Sequence, residues 1–228
     1  MLPLFIALTL LVVIFGLPSY WVRRIMRKYS EPADRYPGTG GELARHMLDQ
    51  LHLSDVLTEA TDTGDHYDPE SRAVRLSKEN FNGRSLTAVT VAAHEVGHAL
   101  QHRDGFPPFM LRQRLVKVSV AAQKLAGVML LLTPLLMLLL RSPRLAILTL
   151  LAGVLSMFAS CLVHLATLPT ELDASFGRAL PIMQEAGFLK SEDEPHARKV
   201  LRAAALTYVA ASLVSVLNLS RWLVLLRR

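Results

Sequence analysis

Four long stretches without formal charge alternate with polar segments along the chain. They cover residues 2–21, 125–140, 145–168 and 203–220. A helix that crosses a bilayer needs about 20 mostly apolar residues, and backbone polar groups in lipid are satisfied only within helices or closed barrels. We therefore predict four transmembrane helices. The second and third are separated only by the polar residues 141–144, so they form a helical hairpin.

The water-facing segment lies between the first two stretches and shows mixed periodicity. Residues 42–51 have apolar positions at helical spacing, whereas residues 56–61 and 72–77 resemble strands, and Thr63-Gly64-Asp65 is a turn signal. This pattern predicts a small α+β segment. Residues 72–77 could form an edge strand that aligns an extended peptide by backbone pairing.

These elements predict a mainly α membrane protein with four transmembrane helices and a small α+β segment. The predicted order is an N-terminal anchor, a cytoplasmic-facing polar segment, a transmembrane hairpin, a second polar segment, and a C-terminal transmembrane helix. The corresponding residues are 1–22, 23–117 (with a helix at about 87–102), 118–168, 169–199 and 200–228.

Composition and charge agree with a membrane protein. Hydrophobic residues make up 51% of the chain, charged residues only 19%, and the net charge is +6. The basic residues are spread along the predicted membrane edges rather than on one face, which argues against nucleic-acid binding. Their bias favours a multi-pass membrane protein with a cytoplasmic active side. The one cysteine, Cys161, allows neither an internal disulfide nor a cysteine-type zinc site.

The chemical motif is His94-Glu95-Val96-Gly97-His98, within the predicted helix at residues 87–102. Histidines four residues apart lie on one face of a helix, so both rings can reach one metal ion. Zn²⁺ suits imidazole ligands and leaves a position open for water. Glu95 can take a proton from that water as a general base, and Gly97 allows another backbone to approach closely.

The third ligand defines the class of zinc site. A metzincin needs a histidine at position 104, where Asp104 stands. His102 lies too far along the helix to share the metal, and is a candidate to contact a metal ligand or to lie at the surface. Glu171, beyond the predicted hairpin, fits a ligand from a separate helix. Asp173 is a candidate hydrogen-bond partner of a ligand histidine or, alternatively, the ligand in place of Glu171.

Several segments together resemble the bacterial membrane-bound neutral zinc metallopeptidases of the YugP type. They are His66-Tyr67-Asp68-Pro69, Val74-Arg75-Leu76-Ser77, Asn82-Gly83-Arg84-Ser85-Leu86, Ala93 to His102 and Leu168 to Ser175. The resemblance implies a zinc-dependent peptidase of the bacterial inner membrane, with residues 23–117 as the metallopeptidase segment that carries the zinc helix and 169–199 as the segment with the third-ligand motif. It implies His94, His98 and Glu171 as ligands and Glu95 as base. In the better-described HtpX type an Asp follows the ligand Glu by four residues. Here Ser175 stands at that position, as a candidate to contact a metal ligand.

The predicted function is zinc-dependent hydrolysis of peptide bonds by a membrane-bound endopeptidase. The expected partners are a peptide or protein substrate and the lipid bilayer. Candidates for stabilising the oxyanion are His66, Tyr67 and Arg178. Two alternatives remain open: a protease that cuts within the membrane, and a non-catalytic zinc-stabilised membrane scaffold or adaptor. A structural zinc site closes all four positions and needs no base, so Glu95 distinguishes the scaffold from the enzyme.

Overall fold

A computed structural model of the chain describes residues 2–140, 148, 151, 152, 155, 159 and 162–216. Its residues form two compact units. The first consists of Met1–Ser19, Leu111–Thr167 and Tyr208–Arg228, and the second of Tyr20–Met110 and Leu168–Thr207. The second unit, which we call the peptidase unit, contains the predicted metal ligands.

The described elements are mainly helical. They are α1 (Leu2–Lys28), α2 (Gly40–Gln50), β1 (Leu57–Thr61), β2 (His66–Asp68), β3 (Ala73–Ser77), α3 (Lys78–Asn82), α4 (Leu86–Arg103), α5 (Pro107–Leu140), α6 (Leu168–Leu172), a π-helical turn (Asp173–Ala179), α7 (Leu180–Glu185), a 3₁₀ turn (Ser191–Asp193) and α8 (Glu194–Val216). Four predictions for the water-facing segment are confirmed. The helix at 42–51 is α2, the strands at 56–61 and 72–77 are β1 and β3, and the zinc helix is α4.

The sheet has the strand order β1-β3-β2. β1 pairs with β3 in parallel and β2 pairs with β3 antiparallel. The prediction that residues 72–77 form an edge strand is therefore wrong, because the backbone of β3 is hydrogen-bonded on both sides. The burial of Ala73, Val74 and Leu76 agrees with this central position.

Side-chain caps define the starts of the two helices that pack together in the peptidase unit. At α2, Thr39 Oγ1 accepts from the Glu42 backbone N–H at 3.1 Å, and Glu42 Oε2 accepts from the Thr39 N–H at 2.8 Å. This reciprocal pair satisfies two helix-end donors. At α4, Ser85 Oγ accepts from the Ala88 N–H at 3.2 Å. All residues of α4 from Leu86 to Gln101 are buried, so both faces of this helix are fixed by packing.

A π-helical turn follows α6. The Leu180 N–H bonds to the Ser175 carbonyl, five residues earlier, instead of the usual four. The extra residue in this turn changes which side chains share a face, and such turns are frequent at functional sites. A regular α-helix continuing from Glu171 would therefore direct the later polar side chains, such as Arg178, toward other neighbours.

The prediction of four transmembrane helices is wrong for the part of the chain that the structure describes. Within residues 2–140 and 162–216, no helix is both long and apolar enough to cross a membrane. In α8, Arg202 leaves residues 203–216 as the uncharged part, about 21 Å at 1.5 Å per residue, short of a hydrocarbon core of about 30 Å. The predicted third span, residues 145–168, lies mostly outside the described residues, as do residues 217–220.

Candidate metal centre

Three buried side chains from two elements of the peptidase unit meet at one point. His94 and His98 lie on α4, and Glu171 lies on α6. Glu171 Oε2 is 3.1 Å from His98 Nε2 and 3.4 Å from His94 Nε2. The side chain of Glu171 is 1% exposed and those of the two histidines are 3% exposed. Among the described residues, these three form the one group whose metal-ligand atoms lie within 4.8 Å of one another.

The donor set fits a zinc ion. Two imidazole nitrogens and one carboxylate oxygen are the ligands of many catalytic zinc sites. Tetrahedral ligands about 2.0–2.2 Å from zinc lie about 3.3–3.6 Å from one another. The distances from Glu171 Oε2 to the two Nε2 atoms are close to this range. Three protein ligands leave the fourth position open for water or substrate, as catalysis requires.

Ser175 orients the first histidine. Its Oγ donates to the Leu201 carbonyl at 3.2 Å and lies 3.0 Å from His94 Nδ1. Because the hydroxyl hydrogen points to Leu201, the oxygen is left to accept from an Nδ1–H. The Nε2 atom of His94 then carries the lone pair that faces Glu171. Fixing the ring in this way is the usual role of an outer partner of a metal-binding histidine.

Gln101 orients the second histidine. Its Nε2 amide donates to the Thr170 carbonyl and to Asp173 Oδ2, each at 2.8 Å. Both partners are acceptors, so this end of the amide must be the NH₂ group and the other end must be oxygen. That Oε1 lies 2.9 Å from His98 Nδ1 and accepts its proton. His98 Nε2 is therefore also left with a lone pair toward Glu171.

Gly97 allows the two ligand-bearing elements to approach closely. A β-carbon at this position would lie 2.5 Å from the Ala174 carbonyl oxygen. Ala174 follows Glu171 by three residues, so this contact brings the backbone carrying the carboxylate against the helix carrying the histidines. This close approach at Gly97 agrees with the prediction from the sequence.

Asp173 and His102 lie outside the three-residue group. Asp173 Oδ2 accepts from Gln101 and, at 2.9 Å, from Arg178 Nε, so it contacts the outer partner of His98 rather than a ligand. His102 Nδ1 is 2.9 Å from the Tyr67 hydroxyl. Burial, followed by the charge of Arg72, lowers the pKa of His102. Its ring and that of His98 both lie near buried Phe109, with centroid distances of 5.7 and 6.1 Å.

Glu95 is buried on α4, directly after His94. Of the three oxyanion candidates, His66 Nδ1 lies 2.8 Å from the Gly64 carbonyl. Tyr67 contacts His102, and burial raises its pKa to about 12. Arg178 pairs with Asp173 and Asp104. Each of the three therefore has a partner within the peptidase unit.

Gln101 is the functional candidate that sequence reasoning missed. An amide in a helix carries no motif of its own. The one available signal was its spacing, three residues after His98 on the same helix, which places it within reach of that ring.

Comparisons with known proteins bear on this site. The model of a family described as "Putative neutral zinc metallopeptidase" matches residues 4–227. The chain is 41% identical over 229 aligned residues to a Bacillus subtilis (strain 168) protein named "Putative membrane protease YugP", covering 97% of this chain and 96% of the relative. No solved structure matches the chain.

Proposed function

The chain belongs to the neutral zinc metallopeptidase family, and we propose on that premise that it is a membrane-associated endopeptidase that hydrolyses peptide bonds in proteins. The observation that carries this proposal is the buried group of His94, His98 and Glu171, in which both histidine Nε2 atoms face one carboxylate oxygen. A peptidase of this family acts on peptide or protein substrates.

In this proposal His94, His98 and Glu171 hold the zinc ion. Asp173 is the alternative third ligand, and the geometry favours Glu171, because Asp173 Oδ2 accepts hydrogen bonds from Gln101 and Arg178. When bound, zinc supplies Lewis acidity, which polarises the scissile carbonyl and makes a water molecule more acidic.

Glu95 serves as the general base. It accepts a proton from the attacking water as the new C–O bond forms, and then gives that proton to the leaving amine as the peptide C–N bond breaks. Ser175 and Gln101 hold the ligand histidines in the tautomer that presents Nε2. Every residue from Ala93 to Gln101 is buried, so the two histidines stand on a tightly packed helix.

Membrane association is supported by the relative's name and by exposed apolar side chains on two helices. On α1, Ile14 is 61% and Leu17 is 57% exposed, and on α5, Val118 is 68% exposed. Such side chains are suited to contact with lipid. The basic residues near the end of α1 favour the anionic cytoplasmic leaflet.

The test compares the wild type with Glu95→Gln, using Glu79→Gln on exposed α3 as the matched control. Cleavage of an unfolded protein is followed by the appearance of new amino termini, and zinc content is measured on the same samples. We expect Glu95→Gln to lose activity at least about 100-fold while it keeps its zinc, and the control to cleave as the wild type does.

Two other outcomes would contradict the proposal. Equal cleavage by the wild type and Glu95→Gln would remove Glu95 from the base role. Zinc in both proteins without cleavage of any unfolded or membrane-protein substrate would favour the non-catalytic scaffold.

A further inference from the structure

The last turns of α1 carry a continuous cationic face. Arg23, Arg24, Arg27 and Lys28, with Tyr20, line a cavity of about 350 Å³. Counted from Tyr20, they stand at positions 3, 4, 7 and 8, the spacing that places side chains on one face of a helix. This face spans about 12 Å along the axis at 1.5 Å per residue.

The opposite face of the same turns is anchored in the peptidase unit. Val22 and Tyr29 are each 7% exposed, and Ile25 and Met26 pack against the core. The Met26 carbonyl accepts from Thr87 Oγ1 at 2.9 Å, and the Tyr29 carbonyl accepts from the Thr87 N–H at 3.0 Å. The cationic face is therefore held outward by a rigid support.

The charges on this face are not neutralised within the described part of the chain. There, neither Arg23, Arg24 nor Arg27 has a carboxylate partner within ion-pair distance, and Lys28 lies over the Tyr29 ring at 5.4 Å. By contrast, Arg35, Arg75 and Arg178 each pair with two carboxylates. A group of cations that lacks internal partners is suited to an external anion.

The order of side chains along α1 indicates which anion. Leu17 is 57% exposed and precedes Tyr20, which is 56% exposed, and the cationic residues follow. An apolar position, then an aromatic ring, then cations is the order of hydrocarbon, interface and headgroup at a bilayer surface. A nucleic-acid strand would gain nothing from the exposed leucine.

We propose that Tyr20, Arg23, Arg24, Arg27 and Lys28 form a binding site for the headgroup of an anionic phospholipid. The proposal rests on the membrane association proposed above, but not on peptidase activity. The guanidinium groups pair with the lipid phosphodiester, and the Tyr20 ring lies at the level where headgroup and acyl chain join.

The chain offers an internal probe of this site. Trp21 follows Tyr20 on α1, and the second of the two tryptophans, Trp222, can be replaced by Phe. The full chain carrying Trp222→Phe is placed in mixed micelles of a nonionic detergent with brominated phosphatidylglycerol or brominated phosphatidylcholine. Quenching of Trp21 fluorescence then measures how strongly each lipid occupies the neighbouring surface.

We expect phosphatidylglycerol to quench at least about fivefold more effectively than phosphatidylcholine, since a single basic residue near an anionic surface contributes about 1 kcal/mol, a factor of about five. The preference should disappear in Arg23→Gln/Arg24→Gln/Arg27→Gln and weaken with added salt. The control Arg84→Gln/Lys199→Gln/Arg202→Gln removes three exposed charges elsewhere in the peptidase unit and should keep the preference. Thermal unfolding of both variants verifies that they are folded.

Equal quenching by the two lipids in the wild type would overturn the proposal, as would a preference that survives the α1 substitutions. Loss of the preference in the control variant would show a general charge effect and would also contradict it. If millimolar inorganic phosphate removes the preference, the site takes a free anion, and if a single-stranded oligonucleotide displaces the lipid, the surface binds nucleic acid. A protein that shows the preference but no cleavage would refute the peptidase proposal alone.

Discussion

Substitution of Gly97 by Ala would test how the metal centre is assembled. Gly97 lies between the two histidines on α4, and a β-carbon there would lie 2.5 Å from the Ala174 carbonyl oxygen and 3.2 Å from its carbon. Ordinary van der Waals contact begins near 3.4 Å. The two segments must therefore separate by roughly 0.9 Å, the difference between 3.4 and 2.5 Å. The added β-carbon is fixed to the backbone of α4 and faces backbone atoms of Ala174, so no flexible side chain can move away instead.

Helix propensity alone would predict that Gly97→Ala stabilises the protein, and we expect the opposite. In a helix without tertiary contacts, Gly→Ala stabilises by up to about 1 kcal/mol. Overpacking of a close-packed contact costs about 1–3 kcal/mol, and we expect the upper part of that range for two backbones. We therefore expect the free energy of unfolding of the metal-free protein to fall by roughly 1–2 kcal/mol. Because Glu171 moves with Ala174, activity should also fall by about 100-fold for a displacement near 1 Å.

The measurement is chemical unfolding of metal-free Gly97→Ala, followed by zinc competition with a chelator and by the cleavage assay. Metal-free protein is used because bound zinc would add its own stabilisation. Gly38→Ala is the matched control, because the nearest atom to its added carbon, Glu42 Oε2, is at 3.4 Å. A Gly97→Ala protein as stable as the wild type, with unchanged zinc affinity, would refute the reasoning.

Two further predictions concern Gln101 and Asp68. Gln101→Leu should weaken zinc binding about 10–100-fold, because His98 Nδ1 and Asp173 each lose a hydrogen-bond partner. Gln101→Glu should not restore binding, since its carboxylate would face Asp173, and tight zinc binding by either variant in chelator competition would contradict this role. Although desolvation opposes it, hydrogen bonds from Ser71, the Glu70 N–H and Arg75 lower the pKa of Asp68 to about 2 from 3.8. The ionised Asp68 therefore stabilises the folded protein fully above pH 4, and this stabilisation is lost as the pH falls toward 2. The free energy of unfolding of metal-free Asp68→Asn should depend less steeply on pH over that window than that of the wild type. An equal slope would contradict the lowered pKa of Asp68.

Local patterns in the sequence were sufficient for the peptidase unit's main elements. The Thr39–Glu42 capping box and the spacing of Met47 and Leu48 define α2, because these signals depend on neighbours within one or two turns. The four-residue spacing of His94 and His98 places both rings on one face by helix geometry alone. The family resemblance seen in these motifs was confirmed by the matches to known relatives.

The length of the uncharged stretches was a weaker guide to membrane-spanning helices. It predicted four transmembrane helices, and within the described residues no helix is both long and apolar enough for that role. Sequence alternation likewise could not show that β3 is central, because strand order depends on which partners the chain brings to each edge.

Only the tertiary structure decided which groups surround the histidines. Glu171 is 73 residues from His98 in the chain, and no local pattern sets that distance. The π-helical turn brings Ser175 to His94, and Gln101 bridges His98 to the backbone of Thr170. These contacts arise because α4 is buried on all sides and its polar groups must find partners in whatever packs against it. The sequence by itself placed His94 and His98 on one face of α4 and offered Glu171 or Asp173 as their partner, and packing brought Glu171 to them and supplied the hydrogen bonds that orient the two histidines.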